Sequence, residues 1–280
     1  MLFPQQNSPK AELQMKVSLF SQSLFALDLH AAIDATAEAG YTAIELACRP
    51  PHLDLSATEQ TAEEAATHVR KAGLEVAALS LFNDFTSPAS LFAQIKQAES
   101  GIRLASVFDT DIVKLTPGPP GSADAHENAW GNLQSALDLL VPVARRSGVK
   151  LAFETHMRQL TDTVASAERL LSIAPVGTVG LTVDFSNLSF AGETISDAFA
   201  RIGNRILHAH VKNGTIAPDG SWRFGPLDQG LTDYTEVVAL LRKMGYEGYL
   251  SVECLGPDAK SDPIATATRD RTILESYLGS

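Results

Sequence analysis

The chain has 280 residues, of which 45% are hydrophobic and 20% are charged, a composition that is ordinary for a globular protein with a sizeable core. The formal net charge is −11 and no basic stripe offsets it, which argues against a nucleic-acid substrate. No apolar run reaches the ~18 residues that a membrane-spanning helix needs.

The first fourteen residues are polar and lack the charged and apolar regions of a signal peptide. We therefore predict a flexible tail over 1–14 and one domain over 15–280. Two cysteines, Cys48 and Cys254, lie far apart and match no paired metal motif. They are expected to be buried, reduced thiols of a cytoplasmic protein.

Eight short β-rich runs alternate with stretches of helical periodicity. The predicted strands are 15–20, 42–47, 75–82, 111–116, 149–155, 178–184, 205–212 and 248–253. The predicted helices are 30–39, 58–72, 88–106, 127–147, 162–173, 193–203, 232–244 and 263–277. Several are expected to end at a glycine, namely Gly40, Gly73, Gly148 and Gly245.

This alternation predicts an α/β fold, a single-domain (β/α)8 TIM barrel, because strands separated by helices of this length form parallel sheets. An open doubly wound sheet is the alternative, but no G-x-G-x-x-G motif follows the first strand.

Polar side chains occupy one face of the later strands. In the seventh strand, Leu207, Ala209 and Val211 share the face that is expected to meet the helices. The opposite face carries Ile206, His208, His210 and Lys212. Since a parallel strand buried on both sides is usually apolar throughout, the polar face is expected to line the upper barrel interior, where charges must be paired or metal-bound.

Four candidate metal ligands end the last four predicted strands: Glu154, Asp184, His210 and Glu253. In a barrel these ends meet at one mouth, where active sites lie. Three carboxylates and one imidazole favour Mn²⁺ or Mg²⁺ and admit Co²⁺ or Zn²⁺. The alternative interpretation is a buried ion-pair cage that these groups form with Lys114, Lys150 and Lys212.

Four segments resemble the xylose isomerase-like barrels of the sugar phosphate isomerase/epimerase superfamily: LAFETH (151–156), VGLTVDFSNLSFAGE (179–193), LHAHVKN (207–213) and YEGYLSVE (246–253). That superfamily also includes inosose dehydratases and a DNA-repair endonuclease. The resemblance implies that the four candidate ligands bind a divalent metal ion, and that Glu154 and Glu253 are also the acid/base pair. Asn187 and Asn213 depart from the His and Asp that the family often has at these positions.

The resemblance implies a metal-dependent isomerase or epimerase of a small sugar or keto-sugar, in which the two glutamates move a proton through an enediolate. The first alternative is a dehydratase of an inosose-like or dehydroshikimate-like ketone. A DNA-repair endonuclease and a non-catalytic carbohydrate-binding barrel are weaker alternatives. The expected partner is a small carbohydrate, with no nucleic acid and no membrane, and a homo-oligomer is left open.

Further candidates for substrate contact lie near the strand ends: His156, Asn187, Lys212, Glu45 and Arg223. Glu45 has the alternative role of orienting a metal ligand, and His208 that of supporting one. Arg158 is a second arginine able to recognise an anion. Two loops, 116–130 and 213–230, are predicted to cover the mouth.

Overall fold

Eight parallel strands close into a barrel in the computed structural model, which describes residues 15–56 and 58–279. The predicted tail, 1–14, lies outside the described residues. The barrel strands are β1 (Lys16–Phe20), β2 (Ala43–Ala47), β3 (Glu75–Ser80), β4 (Ile112–Leu115), β5 (Lys150–Glu154), β6 (Val179–Asp184), β7 (Ile206–Val211) and β10 (Tyr249–Val252). Two further strands, β8 (Asn213–Ile216) and β9 (Trp222–Gly225), form a separate two-stranded sheet. The order around the barrel is β1-β10-β7-β6-β5-β4-β3-β2. The predicted fold is confirmed.

Helices surround the barrel and return the chain from the end of each strand to the start of the next. They are α1 (Leu29–Glu38), α2 (Glu59–Lys71), α3 (Leu91–Ala105), α4 (Glu127–Arg146), α5 (Val164–Ile173), α6 (Phe185–Phe190), α7 (Ile195–Ile202), α8 (Tyr234–Met244), α9 (Pro257–Ser261) and α10 (Pro263–Leu278). All four predicted glycine stops have a positive φ, between 68° and 83°. Within the described ranges, no helix is both long and apolar enough to cross a membrane.

The main core lies between the barrel and its helices. Side chains on the outer face of the strands, such as Phe153, Val183 and Val211, are fully buried there. Cys48 and Cys254 are also buried, and neither forms a disulfide. The apolar face of the predicted strands therefore meets the helices as expected.

Leu207 is an exception to the predicted alternation. Leu181 pairs with Ile206 while the next residue, Thr182, pairs with His208, so β7 has an irregularity at Leu207. Because such a bulge reverses the alternation on its N-terminal side, Leu207 points into the barrel and not towards the helices. It packs there on a small apolar cluster of Ala78, Ile112 and Ala152.

The predicted covering loop 213–230 contains a β-hairpin. Strands β8 and β9 pair antiparallel, with Ile216 opposite Trp222 and Thr215 opposite Arg223. Trp222 and Phe224 lie on one face of the hairpin and contact Phe190 of α6, at ring-centroid distances of 6.2 and 5.8 Å. The hairpin therefore stands beside the C-terminal ends of β6 and β7.

Candidate functional site

Glu154, Asp184 and His210 meet inside the barrel mouth. Each offers a ligand atom, and these atoms all lie within 4.8 Å of one another. Asp184 is opposite His210 in the β6–β7 ladder, and Glu154 is opposite Thr182 in the β5–β6 ladder. The three side chains are at most 3% exposed. Closure of the barrel thus produces the predicted convergence for three of the four candidate ligands.

Glu253 follows β10 directly and borders this cluster. Lys212 Nζ lies 2.6 Å from Glu253 Oε2 and 2.7 Å from Asp184 Oδ2, so the ammonium joins the two carboxylates. The other Glu253 oxygen accepts a hydrogen bond from Gln22 Nε2 at 2.7 Å. Gln22 was not among the predicted site residues, although it lies just beyond the C-terminal end of β1. The role of Glu253 as a fourth ligand stays a prediction.

Two atoms of the cluster are buried without a hydrogen-bond partner among the described residues, Asp184 Oδ2 and His210 Nδ1. Each nevertheless lies in an ion pair, and Lys212 Nζ is 2.7 Å from Asp184 Oδ2. Glu154 Oε1 is 3.4 Å from His210 Nδ1. Buried polar atoms usually have a hydrogen-bond partner, and in this cluster only ion-pair contacts compensate the burial of these two atoms. Ligation of a cation would satisfy both, so the donor set fits a metal ion.

Glu45, on β2, supports the imidazole of His210 from inside the barrel. Its carboxylate accepts hydrogen bonds from His210 Nε2 at 2.9 Å and from His208 Nε2 at 2.8 Å. A carboxylate on one ring nitrogen orients the imidazole and leaves the other nitrogen for a metal. Glu45 has no exposed surface. We therefore correct its predicted substrate contact and retain its alternative role, the orientation of a ligand.

The interpretation as an ion-pair cage is correct for two of its three lysines. Lys114 Nζ lies 2.5 Å from Glu154 Oε2, and Lys212 contacts Asp184 and Glu253 as described. The prediction that Lys150 belongs to the cage is wrong, because its ammonium pairs with Asp111 at 2.8 Å, at the N-terminal end of the strands. It starts β5 and therefore lies at the opposite end of the barrel from the mouth.

The charges of this interior do not balance. Four buried carboxylates, those of Glu45, Glu154, Asp184 and Glu253, face two buried ammonium groups, those of Lys114 and Lys212. Two negative charges remain, which one divalent cation or two protonated imidazoles would neutralise. The cage and the metal site are therefore compatible, because the lysines compensate only half of the acidic charge.

Burial and neighbouring charges displace the pKa values at this site. Burial works to lower the pKa of His210, but the Glu45 and Glu154 carboxylates outweigh it and raise the pKa to about 10. Burial works to raise the pKa of Glu154, but Lys114, His156 and His210 hold that pKa well below its usual range. Glu154 is therefore ionised at neutral pH, and without a metal His210 is protonated.

Three other predicted substrate contacts differ in accessibility. His156 is half-buried, and its Nδ1 lies 2.8 Å from the carbonyl oxygen of Met157. Asn187 is buried; its backbone N–H donates to Asp184 Oδ1 at 2.9 Å and its Nδ2 donates to the Thr155 carbonyl at 3.0 Å. These bonds fix Asp184 in place. Lys212 is buried between its two carboxylates, as the ion-pair interpretation predicted.

The two arginines that the sequence proposed for anion or substrate recognition, Arg223 and Arg158, lie on different sides of the hairpin. Arg223 is exposed and alternates with Trp222 and Phe224, so it lies on the hairpin face that points away from Phe190. Arg158 follows β5 and has a positive φ of 61°. Its guanidinium carbon lies 4.6 Å from the Trp222 ring centroid. Arg158 therefore contacts the inner face of the hairpin, and the substrate contact predicted for Arg223 is not favoured by this placement.

Comparison with known proteins supports the fold and narrows the chemistry. A family model described as xylose isomerase-like TIM barrel matches residues 33–276. The 3-dehydroshikimate dehydratase of Bacillus anthracis is 25% identical over 215 residues, which cover 72% of this chain and 76% of that protein. The inosose dehydratase of Lacticaseibacillus casei is 24% identical over 195 residues, which cover 65% of this chain and 63% of that protein, less than two thirds of its length.

Solved structures give the same fold. A xylose isomerase-like TIM barrel protein from Mycobacterium smegmatis, in complex with magnesium, has a TM-score of 0.79 at 17% identity, covering 96% of this chain and 98% of that one. An L-ribulose 3-epimerase has a TM-score of 0.77 at 18% identity, covering 95% of each chain. At sequence identities this low, the structural similarity supports the fold and does not indicate the activity. The two curated relatives described above are dehydratases, so they favour the lyase alternative over the predicted isomerase or epimerase.

Proposed function

The chain belongs to the xylose isomerase-like TIM barrel family, and we propose that it is a metal-dependent lyase that removes water from a small cyclic hydroxy-ketone. The observation that carries this proposal is the buried convergence of Glu154, Asp184 and His210, with two ligand atoms that lack a hydrogen-bond partner. The dehydratase names of the curated relatives support elimination as the reaction.

We assign Glu154, Asp184, His210 and Glu253 as the residues that hold the metal ion. Mainly oxygen donors favour Mg²⁺ or Mn²⁺, and Co²⁺ or Zn²⁺ also fit an imidazole ligand. A cation bound there supplies a Lewis acid that polarises the substrate ketone and stabilises negative charge on its oxygen. Glu45 keeps the His210 imidazole in the orientation that ligation needs.

The reaction needs a base for the carbon beside the ketone and a proton for the departing hydroxyl. Glu154 is held ionised by its charged neighbours, so it can accept the carbon-bound proton. The hydroxyl on the next carbon leaves as water when the Lys212 ammonium, whose Nζ lies 2.6 Å from Glu253 Oε2, donates a proton to it. The proton that Glu154 accepted then returns to Lys212 through water, which restores both groups for the next cycle. His156, half-buried at the entrance, is placed to bind a substrate hydroxyl.

Incubation with 3-dehydroshikimate and with an inosose tests the reaction. We expect at least one of them to lose water and give a conjugated product that absorbs in the ultraviolet. Removal of metal by a chelator should lower the rate more than about 100-fold, equivalent to roughly 3 kcal/mol of barrier, and added Mn²⁺ or Mg²⁺ should restore it. A product of unchanged mass without new absorbance would contradict the lyase proposal and would indicate an epimerase.

The affinity for the metal should fall as the pH is lowered. In the metal-free protein the pKa of His210 is raised to about 10, so the ring is protonated at neutral pH and must lose its proton before it can bind a cation. Release of one proton makes the apparent affinity about tenfold weaker for each pH unit below that pKa. Titrations between about pH 6 and pH 9 in weak buffer should record close to one proton released per ion. Binding without proton release would contradict this assignment.

A further inference from the structure

Arg49 lies at the barrel mouth, two residues after the end of β2, and is stacked between two aromatic rings. Its guanidinium carbon is 4.1 Å from the ring centroid of Phe82 and 4.7 Å from that of Phe25. Within residues 15–56 and 58–279, no carboxylate forms an ion pair with it. Stacking covers the flat faces of a guanidinium and leaves its N–H edges able to bind a carboxylate in a bidentate manner.

Phe82 connects this arginine to the reaction site. Lys114 Nζ lies 5.0 Å from the centroid of the same ring, and that ammonium is 2.5 Å from Glu154. Phe82 also stacks on Phe20 at 6.3 Å, and the Phe20 ring is 5.1 Å from that of His210. Phe82 therefore lies between Arg49 and the Lys114 ammonium beside the assigned base, and Phe82 with Phe20 lies between Arg49 and the assigned ligand His210.

The charge around the mouth makes such a cation useful for an acidic substrate. The chain carries a net charge of −11, and its catalytic interior has two more carboxylates than ammonium groups. A substrate carboxylate would be repelled by this field unless a fixed cation received it. The two lysines of the interior are already ion-paired, and Arg223 points away from the hairpin's inner face. Arg158 is stacked on Trp222 after the end of β5, whereas Arg49 is stacked on Phe82, the ring that also contacts Lys114 beside the assigned base.

We propose that Arg49 is the specificity contact for a carboxylate on the substrate, and that the protein acts on a hydroxy-ketone acid and not on a neutral polyol ketone. The inference rests on the proposed function, which supplies the cyclic hydroxy-ketone that carries this carboxylate. It does not depend on turnover, because the contact is made in binding.

Binding of two aromatic probes to the magnesium-loaded protein tests the contact directly. Removal of water from 3-dehydroshikimate leaves 3,4-dihydroxybenzoate, and catechol is the same ring with the same neighbouring oxygens but no carboxylate. Calorimetry should give at least about tenfold tighter binding of 3,4-dihydroxybenzoate, as expected for a hydrogen-bonded ion pair. Arg49→Gln should remove this preference and leave catechol binding unchanged, which also shows that the variant is folded and holds its metal.

Arg223→Gln is the matched control, since it removes an arginine from the outer face of the hairpin and should keep the preference. Equal affinity of the wild-type protein for the two probes, or a preference that survives Arg49→Gln, would overturn the inference. The two proposals fail separately. A preference for 3,4-dihydroxybenzoate without dehydration of either 3-dehydroshikimate or an inosose would contradict the lyase alone. Dehydration without the preference would contradict only the carboxylate contact.

Discussion

Glu154→Gln is expected to lower kcat by about 10³- to 10⁴-fold on whichever hydroxy-ketone the wild-type protein dehydrates. The amide cannot accept the carbon-bound proton, and general-base catalysis alone typically contributes 10²–10⁴-fold. The change also leaves Lys114 without its carboxylate, and breaking a buried ion pair costs roughly 3–5 kcal/mol of stability. Rates should therefore be measured well below the melting temperature of the variant, with its fold checked by circular dichroism.

Two further variants separate chemistry from stability. Glu127→Gln changes an exposed glutamate of α4 and should leave both kcat and melting temperature near wild type. Lys114→Met removes the same ion pair but keeps the base, so it should lose stability with a much smaller loss of kcat.

Glu253→Gln should also reduce kcat strongly, because it removes the partner of Lys212 at the leaving-group side. Activity within about twofold of wild type in Glu154→Gln or in Glu253→Gln would contradict the mechanism that uses both glutamates.

The fold could be predicted because its signals are local and repeated. Each β-rich run, helical stretch and glycine stop is visible within a few residues, and eight such units leave few alternatives to a closed parallel barrel. Helix α6 lacked such a signal. It has six residues, too few to show a helical period, and it starts directly after Asp184, whose side chain caps it.

Convergence of the candidate ligands was also predictable, because strand ends of a barrel share one mouth. Glu45, Lys114 and Lys212 were anticipated as partners of these ligands, but the ligand that each one contacts was not, and Gln22 was not predicted at all. Glu45 reaches His210 across the barrel from a strand 165 residues earlier, and Gln22 reaches Glu253 over 231 residues. Such contacts depend on the register in which the barrel closes. Likewise, the bulge that turns Leu207 inward is a property of the β6–β7 pairing and leaves no periodic trace in the sequence.

The asparagine at position 187 illustrates how a departure from the family pattern can be misread. From the sequence it was predicted to contact the substrate, since the family often has a histidine there. In the fold, Asn187 is 1% exposed and ties α6 to the backbone of Thr155 and to Asp184. Its main effect is therefore on the placement of a ligand, and substrate recognition must come from residues nearer the surface, such as His156 and Arg49.

His210→Ala is expected to cause the largest loss of metal affinity of any single change in β7. It removes an assigned ligand, whereas His208→Ala removes only the second imidazole held by Glu45. Glu45→Gln should fall between the two, with the about 10–100-fold weakening that is typical when the support of a ligand is lost. Metal content after dialysis and competition titrations with a chelating dye would rank the three variants.

The ranking discriminates between the metal centre and a cage that is held by ion pairs alone. If protonated imidazoles neutralise the two surplus carboxylates, either histidine serves equally, since both contact Glu45. His210→Ala and His208→Ala would then behave alike and destabilise the fold without any effect on bound metal. If a bound cation neutralises the two carboxylates instead, the two histidines differ, because only His210 has a second nitrogen beside Glu154 and Asp184. Metal should then be lost from His210→Ala and not from His208→Ala. Wild-type metal content in His210→Ala would therefore remove the metal centre on which the proposed chemistry depends.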